Sequence, residues 1–290
     1  MKGETYDRSA QDVGNIVALE HVNVWIPSQE IATAFYVVGL GFTRDPYLMV
    51  GLENMWINLG QQQFHMPTNK PQVLRGVVGL VVPDLDALTA RLTEVKGALA
   101  GTAFDFKVEN GHVLVTSPWG NRFRCHAPGP RFHDMTLGMP YVEFPVERGT
   151  AAGIARFYTK VMGAPGRTTP EGGEAVTRVR VGNAQELVFR ETPEALAPFD
   201  GHHIAIYVSD FGGPHRQLVA LGLLTEESNP YQYRFLDIAD PDSGRKLFTI
   251  EHEVRSLTHP MYLRPLINRN PAQRQRTYER GKDAFVPGLV

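Results

Sequence analysis

The sequence has little of several features that mark extracellular, membrane or nucleic-acid-binding proteins. Cys125 is its one cysteine, so an internal disulfide framework is excluded. The 29 lysines and arginines do not exceed the 31 aspartates and glutamates, which argues against a nucleic-acid partner. No apolar run approaches the roughly 20 residues of a membrane span, and residues 1–15 lack the apolar segment of a signal peptide. These absences predict a cytoplasmic protein that binds neither membranes nor nucleic acids.

What the chain does contain is a repeated unit, first seen in residues 18–42. His21 opens an alternating strand with the sequence HVNVWI, and a proline-serine pair ends it. Ser28 is suited to cap the following helix, because its side-chain oxygen can accept from a free backbone N–H group. Apolar residues then recur near helical spacing at Ile31, Phe35 and Val38. The pattern predicts a strand followed by an amphipathic helix.

Three further stretches repeat the order of one strand, one helix and three strands. They begin with the sequences RGVVGLVV, PYVEFPVE and HHIAIYVS. A chain of 290 residues suits two domains, and the proline- and glycine-rich stretch 128–131 is the best boundary between them. We therefore predict an N-terminal domain over 1–130 and a C-terminal domain over 131–290, with two copies in each. The tail over 255–290 belongs to no copy and is expected to be a strap over the body or a contact for a partner.

The four copies resemble a known superfamily. The helix ends FYVVGLGF and FYTKVMGA and the turns SPWGNRF and DPDSGRKLF look like those of the vicinal oxygen chelate superfamily. That superfamily includes glyoxalase I, methylmalonyl-CoA epimerase, fosfomycin and bleomycin resistance proteins and extradiol dioxygenases. The resemblance covers roughly residues 16–255. It implies an α+β fold in which four βαβββ modules pair into two curled mixed β-sheets, each enclosing a cleft.

The resemblance also implies where metal ligands would lie, with one on the first strand and one on the last strand of each contributing copy. Aligned on their first strands, copies one and four carry His21 and His203. Copies two and three carry Val77 and Tyr141 at the same position. We therefore expect copies one and four to supply the metal ligands.

On the last strands the resemblance implies His65 in copy one and Glu251 in copy four. Glu251 is the nearest carboxylate rather than a full motif match, and a slip in register would move His252 or Glu253 toward the position. Copy two has Arg124 there, a cation that opposes a metal and is either an ion-pair partner or a clamp for an anionic substrate. Some four-copy relatives pair copy one with copy four and copy two with copy three. That pairing would unite His21, His65, His203 and Glu251.

The implied cofactor is one divalent metal ion, since three imidazoles and one carboxylate suit Zn, Fe(II), Mn, Co or Ni. The favoured function is a metal-dependent enzyme of glyoxalase or epimerase type, a lyase or isomerase whose small oxygenated substrate is chelated by the metal. Glu251 would hold the metal or act as the proton-transfer base. The alternatives are an Fe(II)-dependent, extradiol-type ring-cleaving dioxygenase and a metal-free protein that binds a small ligand. The partner is expected to be a small-molecule substrate, and a homodimer is a further expectation.

Overall fold

The computed structural model describes residues 6–45, 48, 53–264 and 266. Within these residues, sixteen strands and four α-helices form four copies of one strand, one helix and three strands. Copy one contains β1 (Ile16–Asn23), α1 (Gln29–Ala32), β2 (Thr43–Arg44), β3 (Asn54–Leu59) and β4 (Gln62–Pro67). Copy two contains β5 (Val77–Val81), α2 (Leu85–Glu94), β6 (Asp105–Glu109), β7 (His112–Thr116) and β8 (Arg122–His126).

The second half of the chain repeats this order. Copy three contains β9 (Gly138–Glu147), α3 (Ala151–Phe157), β10 (Gly166–Glu171), β11 (Glu174–Arg180) and β12 (Glu186–Thr192). Copy four contains β13 (His203–Val208), α4 (Gly212–Ala220), β14 (Leu224–Asn229), β15 (Gln232–Ala239) and β16 (Lys246–Ser256). The helices α1 and α3 continue as π-helical turns over Thr33–Gly39 and Tyr158–Met162. Among the described helices, none combines the length and apolar character needed to cross a membrane.

Each of the two sheets combines two copies. The first has the strand order β14-β15-β16-β13-β1-β4-β3-β2, and the second has the order β10-β11-β12-β9-β5-β8-β7-β6. The first strands of the paired copies lie side by side and antiparallel, β1 with β13 and β5 with β9. Within every copy the first strand lies parallel to the last. The α+β fold and the pairing of copy one with four and copy two with three are therefore confirmed.

The predicted domain boundary lies between β8 and β9, at a short 3₁₀ turn over Pro130–Phe132. Each sheet takes strands from both sides of this turn. The division into 1–130 and 131–290 therefore describes the order of the copies along the chain, whereas the sheets cut across it. As a division into two domains it remains a prediction.

One face of each sheet is apolar and packs against the helices; the other face is polar in the first sheet and mixed in the second, where Tyr141, Val176 and Val188 form a small apolar cluster. In β1, Val22 belongs to the hydrophobic core, whereas His21 and Asn23 are buried polar residues on the opposite face. The core continues between the sheets, since the ring centroid of Phe35 in copy one lies 5.9 Å from that of Phe123 in the second sheet. The other two faces are thus left to form the two clefts.

The first helix begins as the sequence predicts. Ser28 has an extended backbone, and its hydroxyl accepts a hydrogen bond from the backbone N–H of Ile31 at 3.3 Å. This contact satisfies one of the N–H groups that a helix start leaves without a partner. The cap fixes the conformation of the turn between β1 and α1. It thereby helps to set the orientation of the polar face of β1.

The hairpin between β3 and β4 generates a stability prediction. Gly60 has φ +63°, and a Cβ added there would lie 2.2 Å from the carbonyl oxygen of Leu137. Gly111, in the turn between β6 and β7, also has a positive φ, of +84°, but has open space around it. We expect Gly111→Ala to lower the free energy of unfolding by about 1 to 2 kcal/mol for the left-handed backbone alone. Gly60→Ala should lose at least about 1 kcal/mol more, because the Leu137 backbone must also move.

Chemical denaturation of the two variants and the wild type measures the difference. Gly111→Ala is the matched control, since it shares the backbone conformation and lacks the close contact. Equal losses in the two variants would contradict the close approach of the β3–β4 hairpin to the segment before β9.

Candidate metal centre

Three histidines meet on the polar face of the first sheet. His21 on β1, His65 on β4 and His203 on β13 each offer a ring nitrogen, and these atoms all lie within 4.8 Å of one another. The register explains the meeting, because Asn23 of β1 pairs with His65 on one side and with His203 on the other. The ring centroid of His21 lies 5.6 Å from that of His65 and 5.7 Å from that of His203. The three histidines predicted from the sequence are therefore neighbours.

The Nδ1 atom of each histidine lies beside a polar side chain. These contacts are Glu20 to His21 at 3.0 Å, Asn23 to His65 at 2.7 Å and Glu251 to His203 at 3.4 Å. The three Nε2 atoms are buried, and within the described part of the chain none of them makes a hydrogen bond. A histidine that binds a metal through one ring nitrogen usually holds a carboxylate or carbonyl with the other. Glu20 and Glu251 are partners of this kind, and the side-chain amide of Asn23 takes the same place at His65, so that Nε2 is the nitrogen left for a metal in each ring.

Burial also fixes the protonation of two of these rings. It lowers the pKa of His21 from its usual 6.5, although the neighbouring Glu20 acts in the opposite direction. Burial lowers the pKa of His65 well below the same value, and the nearby His21 and His203 lower it further. Both imidazoles are therefore neutral near pH 7, which is the form that binds metal ions.

The strand register gives an unexpected candidate for a fourth ligand. His65 pairs with Asn23, which lies two residues after His21 on β1. Glu253 likewise pairs with Ala205, which lies two residues after His203 on β13. Glu253 in copy four is thus the counterpart of His65 in copy one. Its carboxylate oxygen Oε2 lies 3.5 Å from Nε2 of His203, and 3% of its side chain is exposed. Burial by itself would raise its pKa, but the charge of Arg255 and the contact with His203 hold the pKa well below its usual value.

Glu251, the carboxylate expected from the sequence, lies on the same face but at a different position. It pairs directly beside His203, as Gln63 pairs beside His21 in copy one. Its oxygens contact Nδ1 of His203 at 3.4 Å and Arg234 at 3.3 Å, and 23% of its side chain is exposed. Burial raises its pKa, but His203 and Arg234 outweigh that effect and hold the pKa below its usual value. Glu251 thus contacts Nδ1 of His203, whereas Glu253 lies beside its Nε2.

The second sheet fills the equivalent positions differently. The register places Val77, Tyr141, Arg124 and Val188 where the first sheet has His21, His203, His65 and Glu253. The hydroxyl of Tyr141 lies 2.9 Å from Nε2 of His126 and accepts from Arg124 at 3.3 Å, and Arg124 is 4.0 Å from Glu143. Of the two roles considered for Arg124, the ion-pair partner is the one seen here. In the second cleft these side chains thus contact one another at the positions that correspond to the histidines.

The tail passes over the mouth of the first cleft. Met261 packs against Trp56 and Leu48, and the ring of Tyr262 lies 4.8 Å from that of Tyr207. Arg264 reaches Asp45 at 2.7 Å in a fully buried ion pair. Residues 257–264 (the strap) thus pass over the first sheet. The predicted tail begins at residue 255, but Arg255 and Ser256 belong to β16 of copy four. Residue 265 and residues 267–290 of that predicted segment lie outside the described residues.

A cavity of about 660 Å³ lies beneath the strap, between residues 60–63, 134–137 and 183–185, and the three histidines are not among its lining residues. It is lined in part by Glu20, Gln63 and Tyr207 from the first sheet and by Met261 and Arg264 from the strap. This volume lies within the range of small-molecule pockets, roughly 300 to 1,000 Å³. The cavity is linked to the histidine cluster through Glu20 and Gln63, the neighbours of His21 along β1 and across to β4.

Sequence reasoning did not identify the residues around the ligands. The alternation in HVNVWI places Asn23 on the same face as His21, so that residue could have been found. Glu20 could not have been found in this way, because neighbours in a regular strand point to opposite faces. The register of β1 shifts between Leu19 and His21, and this irregularity lets Glu20 and His21 both contribute to the polar face. The stacking of Trp56 on His65, with centroids 4.0 Å apart, likewise depends on the pairing of β3 with β4.

Comparison with known proteins decides the fold. No model of a known protein family matches the chain, and no curated protein matches its sequence. Solved structures do match: glyoxalase I from Zea mays has a TM-score of 0.56 at 12% identity, covering 82% of this chain and 92% of its own. A candidate dioxygenase from Bacillus subtilis subsp. subtilis strain 168 has a TM-score of 0.57 at 16% identity, covering 83% of this chain and 86% of its own. The chain has the vicinal oxygen chelate fold.

The superfamily resemblance inferred from the sequence is confirmed at the level of this fold. Identities of 12% and 16% establish a shared architecture, and the vicinal oxygen chelate fold supports many different reactions. The function of this member of the fold must therefore be argued from its own cleft.

The buried histidines generate a pH prediction for the metal-free protein. Because the pKa values of His21 and His65 are lower in the folded than in the unfolded state, their contribution to stability is complete above pH 6.5. That contribution is lost as the pH falls, by up to about 1.4 kcal/mol per pH unit for each group. We expect the double variant His21→Gln, His65→Gln to lose less stability than wild type between pH 7.5 and 5. Urea unfolding in the presence of a chelator measures the free energy of unfolding of both proteins at each pH. Equal losses in the two proteins would contradict the prediction.

Proposed function

We propose that the protein is a metal-dependent enzyme of the glyoxalase or epimerase kind, with its metal held by His21, His65, His203 and Glu253. The observation that carries the proposal is the meeting of three histidines, each with a ring nitrogen within 4.8 Å of the others, whose buried Nε2 atoms make no hydrogen bond among the described residues. A buried polar atom without a partner costs about 1 to 3 kcal/mol. A cation bound among the three rings would satisfy all three atoms at once.

The donor set fits a divalent ion of the borderline class. Neutral imidazoles suit Zn, Fe(II), Co and Ni, and the carboxylate adds an oxygen donor that Mn also accepts. Such an ion, when bound, supplies Lewis-acid polarisation of substrate oxygens. Glu253 is favoured over Glu251 as the fourth donor because it is enclosed and faces Nε2 of His203, whereas Glu251 contacts Nδ1.

Glu251 then remains as the proton-transfer base. Its carboxylate is partly exposed, while its contacts with His203 and Arg234 keep its pKa below the usual value, so it is charged near pH 7. A base must be deprotonated and must reach the substrate. Glu253 lacks that access, since 3% of its side chain is exposed.

The rest of the cleft would bind and enclose a small oxygenated substrate. Trp56 stacks on His65 and packs against Met261 of the strap, which gives the cleft an apolar side, and the cavity of about 660 Å³ on the far side of Glu20 adds space under the strap. The strap excludes water from the polar face, which strengthens electrostatic interactions there. A small molecule chelated through two adjacent oxygens is the substrate class that this arrangement favours.

Two glutamine variants test which carboxylate is the donor. We expect Glu253→Gln to weaken metal binding by roughly tenfold or more, since an amide is a poorer ligand than a carboxylate and this position faces Nε2 of His203. Glu251→Gln should bind metal nearly as wild type and should lose turnover instead. Titration of the chelator-treated proteins with Zn²⁺, followed by the rise in melting temperature, measures the binding. Loss of binding in Glu251→Gln alone would return the donor role to Glu251.

Metal exchange tests the reaction class. In a lyase or isomerase the ion only polarises the substrate, so we expect Zn, Ni or Co protein to exchange deuterium into a carbon next to a carbonyl without oxygen. Mass spectrometry of candidate α-hydroxy- and α-ketocarbonyl substrates under anaerobic conditions measures this exchange. Turnover seen with Fe(II) alone and matched by oxygen uptake would instead support a ring-cleaving dioxygenase. Absence of both metal and turnover would support a metal-free binding protein.

A further inference from the structure

The carboxylate of Glu253 lies between two arginines. Arg255, on the same strand, forms ion pairs with Glu253 and with Glu20. Arg234, on the neighbouring strand β15, forms ion pairs with Glu253 and, at 3.3 Å, with Glu251. Arg255 therefore joins Glu253 to Glu20, and Arg234 joins it to Glu251, besides a longer contact of 3.7 Å with Glu226.

Glu20 and Glu251 are the two carboxylates that orient histidines. Glu20 lies 3.0 Å from Nδ1 of His21, and Glu251 lies 3.4 Å from Nδ1 of His203. Contacts thus run from His21 through Glu20 and Arg255 to Glu253. A second series runs from His203 through Glu251 and Arg234 to Glu253. Three of the four proposed donors are linked in this way.

Arginine suits this task in a way that lysine does not. Its planar guanidinium carries five N–H donors in a fixed fork, so one side chain can hold two carboxylates at a set separation. Arg255 is 5% exposed, and its Nε also donates to Gln232 at 3.1 Å, which fixes the plane of the group. The hydroxyl of Tyr207 donates to the other oxygen of Glu20 at 2.8 Å. Glu20 is therefore held from two sides.

We propose that Arg255 and Arg234 are positioning residues that set the geometry of the metal centre by holding Glu253 and the histidine-orienting carboxylates in one arrangement. The inference rests on the proposed metal site. Neither arginine needs to touch the metal or the substrate. Their effect is to fix donors that would otherwise adopt several rotamers, since long acidic side chains have much rotational freedom.

The second sheet offers a matched control. Arg190 on β12 occupies the position of Arg255, because it follows Val188 by two residues as Arg255 follows Glu253. It also joins two carboxylates, Glu143 at 3.3 Å and Glu171 at 3.4 Å. Arg190 thus has the same place in its sheet as Arg255 and also pairs with two glutamates. It lies in the second cleft, where Val77, Tyr141, Arg124 and Val188 take the positions of the proposed donors. The side chain of Arg190 is 33% exposed against 7% for that of Arg255, so it controls for position and partners, and Arg234, at 18%, is the better match to it in exposure.

The test compares Arg255→Lys, Arg234→Lys and Arg190→Lys with wild type. Each change keeps the positive charge and removes the fork. We expect the first two variants to bind Zn²⁺ roughly 10- to 100-fold more weakly, the range for partners of metal ligands, and Arg190→Lys to bind as wild type. Competition with a chromophoric chelator measures the dissociation constants. The visible absorption bands of the Co²⁺-loaded proteins, which report ligand geometry, should change in the first two variants only.

Wild-type affinity and an unchanged Co²⁺ spectrum in Arg255→Lys and Arg234→Lys would overturn the inference. Equal weakening in all three variants would overturn it too, since the effect would then be a general one on sheet stability. If Arg255→Lys fails to fold by circular dichroism, Arg234→Lys decides, because its side chain is more exposed, at 18%. Absence of Zn²⁺ and Co²⁺ binding in the wild type would instead overturn the proposed function itself.

Discussion

The antiparallel pairing of β1 with β13 is the constraint on which the candidate centre depends. The pair is centred on Val22 and Ile204, so that the two strands are related by a local two-fold axis. This relation puts His21 and His203 on the same face, each near the middle of the sheet. The parallel partners β4 and β16 then bring in His65 and Glu253 from either side. A shift of one residue in the central pairing would send every side chain of a strand to the opposite face, and the histidines into the apolar core.

The centre also requires many polar groups to be buried together. Glu20, His21, His203, Glu253 and Arg255 are each less than 9% exposed. Buried charges are unfavourable unless they are paired and hydrogen-bonded, and removing one partner from such a pair is strongly destabilising. The network meets this requirement by alternating acidic and basic groups: burial by itself would raise the pKa of Glu20, but Arg255, His21 and Tyr207 outweigh it and lower the pKa to about 2. The same pairs that make the burial tolerable also restrict where the donors lie.

The two clefts show how one fold can carry different contents. The second sheet repeats the strand order and register of the first, but it places the phenol ring of Tyr141 where the first has the imidazole of His203. A Cβ at Gly79 would lie 2.3 Å from the ring of Tyr141, so glycine leaves the room that this ring takes up. Chemistry in this fold is thus a property of a few positions in each cleft, while the sheets themselves follow from the repeated pattern of strands and helices.

The sequence by itself determined the four copies, their order of elements and three of the proposed donors. Strand alternation, the cap at Ser28 and the recurrence of the unit are local signals, and they survive whatever the copies pack against. The superfamily resemblance then placed His21, His65 and His203 at ligand positions. Each histidine has a fixed position in its own copy. Because copies one and four pair in one sheet, these positions bring the three histidines together.

Only the tertiary structure decided the remaining features. The choice between Glu251 and Glu253 depends on which residue of β16 pairs beside Ala205, and neighbouring acidic residues leave that register open in the sequence. The contact of Glu20 with His21 depends on an irregularity in β1 that has no sequence signature here. The strap and the arginine links join residues that are up to 235 positions apart. Such contacts are set by how strands pair across the whole chain, and local sequence carries information only about its own neighbours.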